Sequence, residues 1–94
     1  ILTLILDQLF IMGQKKTSQR IASFLIDMEH RIGHGSNRFH LPMSRQDIAD
    51  YLGMSLETGS RGFSKLKKEG FIQIDNNYQI TILEHEKLVS YADN

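Results

Sequence analysis

Residues 44–70 read SRQDIADYLGMSLETGSRGFSKLKKEG, and within them two short amphipathic segments meet at a glycine. Ser44 precedes Asp47 by three positions, as in a capping box, which indicates the start of a helix. The apolar face of this first helix consists of Ile48, Tyr51 and Leu52. Gly53 follows, and because glycine tolerates left-handed backbone we expect the helix to end there.

A second helix is predicted directly after that turn. Ser55 offers an N-cap, and the helical pattern continues until Gly70. Two helices joined by so short a turn cross at a steep angle, and Ala49 is small where the second helix must approach closely. The pattern therefore predicts a helix-turn-helix motif with helices over residues 44–52 and 55–69.

The segment before this motif predicts a further helix over residues 18–33. Thr17 or Ser18 is its expected N-cap, and two glycines at its end supply the stop signal. Its apolar stripe consists of Ile21, Phe24, Leu25, Met28 and Ile32. Residues 35–43 contain Gly, Ser, Asn and Pro, which interrupt both helical and strand periodicity, so we expect a loop or short ribbon there.

After Gly70 the spacing at which apolar residues recur changes from 3.6 residues, typical of a helix, to 2 residues, typical of a strand. The apolar positions are Ile72, Ile74, Tyr78, Ile80 and Ile82. Asn76 and Asn77 lie between the two runs, and asparagine tolerates the positive φ that a two-residue hairpin turn needs. We therefore predict an antiparallel hairpin across residues 71–82 and a short helix over residues 84–91. The expected fold class is α+β, mainly helical: a winged helix-turn-helix with a C-terminal β-hairpin wing.

Charge is distributed unevenly, although the chain of 94 residues has a formal net charge of zero. Residues 14–70 carry ten Lys and Arg against six Asp and Glu, and the remaining residues are predominantly acidic. A basic central segment favours a polyanionic partner. Cysteine does not occur in the sequence, which excludes disulfides and thiolate metal sites within it and agrees with a cytoplasmic location, our expectation.

Residues 1–12, ILTLILDQLFIM, are apolar but too few to span a bilayer, and Asp7 interrupts them. They also lack the basic leader and cleavage site of a signal peptide. We expect no membrane partner. The preferred interpretation is the end of a helix that packs against another domain or a second subunit of a longer protein. The alternative is a helix of this domain's own core.

Glu57, Ser60 and Arg61 are spaced i, i+3 and i+4 in the first turns of the second predicted helix, so they share one face. That end of the helix enters the major groove in helix-turn-helix proteins. Arg donates two hydrogen bonds to guanine, Glu accepts from cytosine N4, and Ser bonds to several bases. The pattern therefore favours base reading. The alternative is a solvated face that carries a Glu57–Arg61 ion pair.

Residues 41–72, LPMSRQDIADYLGMSLETGSRGFSKLKKEGFI, resemble the C-terminal domain of the CRP/FNR bacterial transcription regulators. The similarity extends more loosely over residues 15–83. In the FNR-like branch, the Glu, Ser and Arg of an E-T-x-S-R segment read a TTGAT half-site. This chain has the similar segment Glu57-Thr58-Gly59-Ser60-Arg61.

The resemblance also implies an organisation and a set of partners. Residues 1–14 would be the end of a dimerisation helix or the hinge after it, and residues 15–94 the DNA-binding domain. Any effector would bind a preceding domain, so no cofactor is expected in this chain. The whole protein would bind duplex DNA as a homodimer and act on RNA polymerase. Arg45 and Thr58 would bind DNA phosphates.

Three lysines follow the predicted reading face. Lys65 lies one turn beyond Arg61, and we expect it to be a third phosphate contact. Lys67 and Lys68 are nearer the helix end, where cations complement the helix dipole.

Gly59 and Gly62 depart from the helix-turn-helix pattern, which has Val, Ile or Leu facing the core at these positions. Each glycine costs about 1 kcal/mol of helix propensity relative to alanine. We therefore expect a less rigid recognition helix, unless Phe63 or a neighbour fills the space. If the space is open, larger residues at both positions should stabilise the fold; overpacking would reverse that effect.

Other functions are less well supported by the sequence. A winged helix used only for protein–protein contact would not need the basic residues Arg45, Arg61 and Lys65. An enzyme is not expected, because neither a phosphate-cradling glycine loop nor a catalytic triad with family spacing occurs. His30 and His34 are four residues apart but lack a convincing third ligand, so no metal site is expected.

Overall fold

The computed structural model describes the backbone of residues 2–76 and 78–93, and the side chains of residues 17–76 and 78–93. The elements in chain order are α1 Leu2–Ile32, β1 Arg38–His40, α2 Arg45–Leu52, α3 Leu56–Lys68, β2 Ile72–Asp75, β3 Gln79–Ile82 and α4 His85–Asp93. Helix α1 packs against α3 and α4, and α3 packs against α2 and β2. The predicted α+β class with a winged helix-turn-helix is confirmed.

Helix α1 is 31 residues long and begins before the predicted start at residue 18. Thr17 and Ser18 are therefore interior helical residues with buried side chains, and the expectation that either is an N-cap is wrong. Ile21 and Leu25 are fully buried, as their stripe predicts, whereas Ile32 at the helix end is 38% exposed. The predicted boundary between residues 14 and 15 falls inside this helix.

The sheet has three antiparallel strands in the order β1-β3-β2. Ile80 in the central strand pairs with Phe39 on one side and Ile74 on the other. The predicted hairpin across 71–82 is present, and β1 adds a third strand from the segment that we expected to be a loop or short ribbon. Ile80 and Phe39 are buried, because this face of the sheet packs into the core.

The hairpin turn is longer than predicted. Asp75 pairs with Gln79, so residues 76–78 connect the strands and the turn is not a two-residue one. Asn76 has φ +52°, which agrees with the expected positive φ, and Asn77 lies outside the described residues. Tyr78 is not in the strand: its carbonyl accepts from Leu41 N at 2.7 Å, and its ring stacks on His40 at 5.9 Å between centroids.

Helix α4 closes the domain against α1. Leu88 is fully buried between them and belongs to the hydrophobic core cluster. A polar contact accompanies it, because His85 Nε2 lies 2.9 Å from Oε2 of the buried Glu29. Tyr91 adds another link through its carbonyl, which accepts from Gln19 Nε2 at 3.3 Å. These contacts fix the orientation of α1, which in turn supports α3.

Candidate nucleic-acid interface

The two helices of the motif are capped as their sequence predicts. Ser44 Oγ accepts from Asp47 N at 3.1 Å at the start of α2, and Ser55 Oγ accepts from Thr58 N at 3.1 Å at the start of α3. Gly53 ends α2 with φ +71°, in the left-handed region that glycine tolerates without strain. The short turn that results sets the crossing of α2 and α3.

Ala49 and Ile48 hold the two helices together at this crossing. Both are 1% exposed, as predicted, whereas Tyr51, which we also placed on the apolar face of α2, is 76% exposed. A β-carbon placed on Gly59 would lie 3.5 Å from Ala49 Cβ and 3.7 Å from Met54 Sδ, which is ordinary van der Waals contact. The structure therefore leaves room for a methyl group at position 59.

Gly62 is in a different environment from Gly59. A β-carbon there would collide with the Cδ1 methyl of Ile21, which projects from α1. The side chain that fills this space is thus Ile21 rather than Phe63, which is itself buried elsewhere in the core. The expectation of a loosely packed recognition helix is wrong at this position, because glycine permits close approach of α1 and α3.

Glu57, Ser60 and Arg61 all have exposed side chains on the outer face of α3. In the part of the chain that the structure describes, the close contacts between acidic and basic side chains are Asp27–Arg31 and Glu29–His85. The Glu57–Arg61 pair of the alternative interpretation is therefore not formed. Both charged groups remain available to a partner that approaches this face.

The three predicted phosphate ligands lie in different surroundings. Thr58 is half-buried, and its Oγ1 accepts from Ser55 Oγ at 2.8 Å, so its hydroxyl belongs to the α3 cap. Lys65 is exposed on α3. Arg45 is half-buried at the first position of α2, with its Cζ 4.1 Å from the centroid of the Phe63 ring. This cation–π contact orients the guanidinium.

Arg45 also lies in unusual electrostatic surroundings. Burial lowers the pKa of its guanidinium, an effect that the nearby Tyr78 partly opposes. Its Nη1 is buried and lacks a hydrogen-bond partner within the described residues. A guanidinium stays protonated at neutral pH, so a cation with an unused donor is held at this point of the surface.

A cleft of about 330 Å³ separates α3 from the β2–β3 hairpin and is hereafter the wing cleft. Its polar lining consists of Arg45, Ser60, Ser64, Lys67 and Asn76. Its apolar lining consists of Phe63 and Ile74. Sequence reasoning assigned no binding role to Ser64 or Asn76, and as a phosphate contact it favoured Lys65 over Lys67. The helical spacing of residues 60, 64 and 67 was an available signal, whereas the position of Asn76 depends on the fold.

The remaining candidate is the pair of histidines, His30 and His34, that we considered as metal ligands. His34 lies beyond the end of α1 with φ +51°, so it and His30 do not form the helical i, i+4 pair that we considered. Among the described residues, no three or more potential metal ligands lie together in a group. Nor is any helix there both long and apolar enough to cross a membrane.

Comparison with known proteins places this architecture in a family. The Crp-like helix-turn-helix domain matches residues 19–91. The nitrogen fixation regulation protein FixK of Rhizobium meliloti is 45% identical over 87 residues, which cover 93% of this chain and 41% of that protein. The fumarate and nitrate reduction regulatory protein of Yersinia pestis is 33% identical over 91 residues, 94% of this chain and 36% of that protein.

Solved structures of similar proteins lead to the same family. FixK2 from Bradyrhizobium japonicum superimposes with a TM-score of 0.74 at 37% identity, over 80% of this chain and 37% of that one. The catabolite activator protein of Thermus thermophilus shares the fold, with a TM-score of 0.80 at 22% identity over 98% of this chain and 41% of that one. These relatives are transcription regulators and not enzymes. The chain therefore belongs to the Crp-like helix-turn-helix domain family of CRP/FNR transcription regulators.

Proposed function

We propose that this domain binds duplex DNA sequence-specifically by placing α3 in the major groove. The observation that carries the proposal is the exposure of Glu57, Ser60 and Arg61 on one face of α3, with neither charged group paired to another side chain of the described chain. An α-helix fits the major groove, where each base pair presents a distinct pattern of donors and acceptors. Membership of the family supports the same function.

The preferred site is a TTGAT-like half-site, by similarity to the FNR-like branch. Arg61 donates two hydrogen bonds to the guanine, and Glu57 accepts from a cytosine N4, with Ser60 between them. A carboxylate on a DNA-facing surface opposes non-specific attraction to phosphates, so Glu57 is useful there chiefly as a base reader. Arg45, Thr58 and Lys65 bind backbone phosphates and set the register of α3.

The domain acts within a longer regulator, because it spans only 41% of the length of the Rhizobium FixK protein. The longer regulator that contains this domain is proposed to be a cytoplasmic homodimer. Residues 1–14 would then form the end of its dimerisation helix or the adjoining hinge. A dimer reads two half-sites related by its own two-fold axis. A preceding domain binds any effector, and RNA polymerase is the expected protein partner.

The test is the affinity of the protein for a palindrome of two TTGAT half-sites and for a scrambled duplex, measured by fluorescence anisotropy at several salt concentrations. The palindrome should bind more tightly at every salt concentration, and both affinities should fall as salt rises. Equal affinity for the two duplexes would contradict base reading. Failure to bind either duplex at low salt would favour the alternative, a protein–protein interaction module.

A further inference from the structure

Helix α3 presents different residues to the solvent and to the core. Glu57, Ser60 and Arg61 are exposed on the proposed reading face, whereas Gly59 and Gly62 are buried. Backbone hydrogen bonds join each turn of the helix to the next, so α3 moves as a unit over this length. A displacement on its buried side therefore also displaces the reading face, since a close-packed interior transmits strain.

Ile21 of α1 lies against the backbone of α3 at Gly62. A β-carbon on this glycine would collide with the Cδ1 methyl of Ile21 and would lie 3.4 Å from Cγ2 of Thr17, one turn earlier in α1. Ile21 is fully buried, and its β-branched side chain has one strongly preferred rotamer in a helix. The separation of two packed helices depends on the side chains at their contact. The Cδ1 methyl of Ile21 is therefore a fixed spacer between α1 and α3.

Gly59 provides a matched control for this contact. It is also buried in α3, but it faces α2, where a β-carbon would lie 3.5 Å from Cβ of Ala49. That distance is ordinary van der Waals contact, so an added methyl group requires no movement of α3. Of these two glycines, Gly62 is the one whose substitution must shift either α3 or Ile21.

Base reading is more sensitive to such a shift than phosphate binding is. A bidentate contact from Arg61 to guanine requires two hydrogen bonds that are both close to their normal length and angle. Lysine side chains reach phosphates as flexible point charges and tolerate a larger displacement. We propose, on the basis of the proposed function, that Ile21 is a positioning residue for base reading. Its Cδ1 methyl, packed against Gly62, sets the separation of α1 and α3 and with it the reach of Arg61 into the major groove.

The test compares Gly62→Ala with Gly59→Ala, which add the same methyl group to the same helix. The affinity of each variant for the TTGAT palindrome and for a scrambled duplex is measured at one salt concentration, and the ratio of the two affinities is the readout. Gly62→Ala should lower this ratio by about fivefold or more, the lower end of the range for loss of one bidentate contact. Gly59→Ala should leave the ratio at its wild-type value.

The affinity ratio separates positioning from stability. Partial unfolding lowers the affinity for both duplexes by the same factor, because only the folded fraction binds, so a purely structural defect leaves the ratio unchanged. Ile21→Val removes the Cδ1 methyl, and its combination with Gly62→Ala should restore most of the ratio that Gly62→Ala loses. Arg61→Ala should lower the ratio less in the Gly62→Ala protein than in the wild type, since its contact is already weakened there.

Ile21→Val alone keeps the proposal testable if Gly62→Ala does not fold. It deletes a single methyl group, a change that protein cores usually tolerate. Because the spacer is then shorter, the affinity ratio should fall, although by less than we expect for Gly62→Ala.

Several results would overturn the proposal while the wild type still prefers the palindrome, so that the proposed function stands. One is an unchanged ratio in Gly62→Ala, or in Ile21→Val if Gly62→Ala does not fold. Another is a ratio that Gly59→Ala lowers equally, because any change in the packing of α3 would then suffice. A third is a double variant of Ile21→Val and Gly62→Ala that recovers none of the lost ratio. If the wild type shows no preference for the palindrome, this inference and the proposed function both fail.

Discussion

The Cδ1 methyl of Ile21 lies so close to the position of a β-carbon on Gly62 that the two could not both fit without a shift. Ile21 is fully buried in α1, and Gly62 faces it from the middle of the recognition helix α3. The missing side chain at Gly62 is therefore compensated by a side chain from another helix. Gly59, only one turn earlier, has no such partner, because a β-carbon there would meet its neighbours at 3.5 Å or more.

Alanine at the two glycines should consequently have opposite effects on stability. Gly59→Ala should raise the free energy of unfolding by about 1 kcal/mol through helix propensity. Gly62→Ala should lower it by about 1–3 kcal/mol, because the buried Ile21 must move. Urea denaturation of both variants measures the difference.

A double variant tests the mechanism of that difference. Ile21→Val alone should cost about 0.5–1.5 kcal/mol, because it removes the Cδ1 methyl from the core. Combined with Gly62→Ala it should cost less than the sum of the two single changes, since the new methyl takes the vacated space. Strict additivity would show that Ile21 and Gly62 are not in contact.

Arg61→Ala should weaken binding to the TTGAT palindrome by about 1–3 kcal/mol and binding to scrambled duplex by much less. Replacing the contacted guanine should weaken the wild type and leave Arg61→Ala nearly unaffected, because both changes remove the same contact. Arg31→Ala, at an exposed arginine of α1, is the matched control. Equal losses on every duplex would mean that Arg61 contributes only charge.

Glu57→Ala should change binding in a different direction. Removal of a carboxylate from a phosphate-facing surface should raise affinity for scrambled duplex, while the ratio of palindrome to scrambled affinity falls. Glu86→Ala, at an exposed glutamate in α4, controls for the change in net charge. An unchanged ratio would assign Glu57 to the solvated surface.

Arg45→Ala should weaken binding to all duplexes alike and lower the salt slope by about 0.9, as expected for a residue that contacts phosphate. Lys87→Ala, at an exposed lysine of α4, provides the comparison. Because Arg45 also stacks on Phe63, the free energy of unfolding should be measured in parallel. A loss confined to the palindrome would show that Arg45 reads bases.

His85→Ala should destabilise the contact between α1 and α4. The side chain of Glu29 is only 8% exposed whereas that of His85 is 42% exposed, so the substitution leaves a buried carboxyl group without its hydrogen-bond partner. We expect a loss of about 1–3 kcal/mol in the free energy of unfolding by urea denaturation at neutral pH. His30→Ala, at an exposed histidine of α1, should be nearly neutral; an equal loss there would contradict the role of the pair.

The helix-turn-helix could be recognised from sequence because its defining contacts are local. Ser44 caps a helix through Asp47, Ser55 does so through Thr58, and Gly53 turns the chain by its own backbone freedom. Each contact joins residues three positions apart or fewer. The reading face on α3 follows from the same helical spacing, so its exposure could also be predicted.

Contacts between distant segments could not be predicted in the same way. Strand β1 forms only because Phe39 pairs with Ile80, and a three-residue strand has too little alternation to be recognised alone. The space beside Gly62 is filled by Ile21, and the wing cleft joins Arg45 to Asn76. These relationships depend on how helices and strands pack, on the volumes of side chains that meet across the core and on strand register. None of those quantities is carried by the periodicity of a single segment, and so the tertiary structure alone established them.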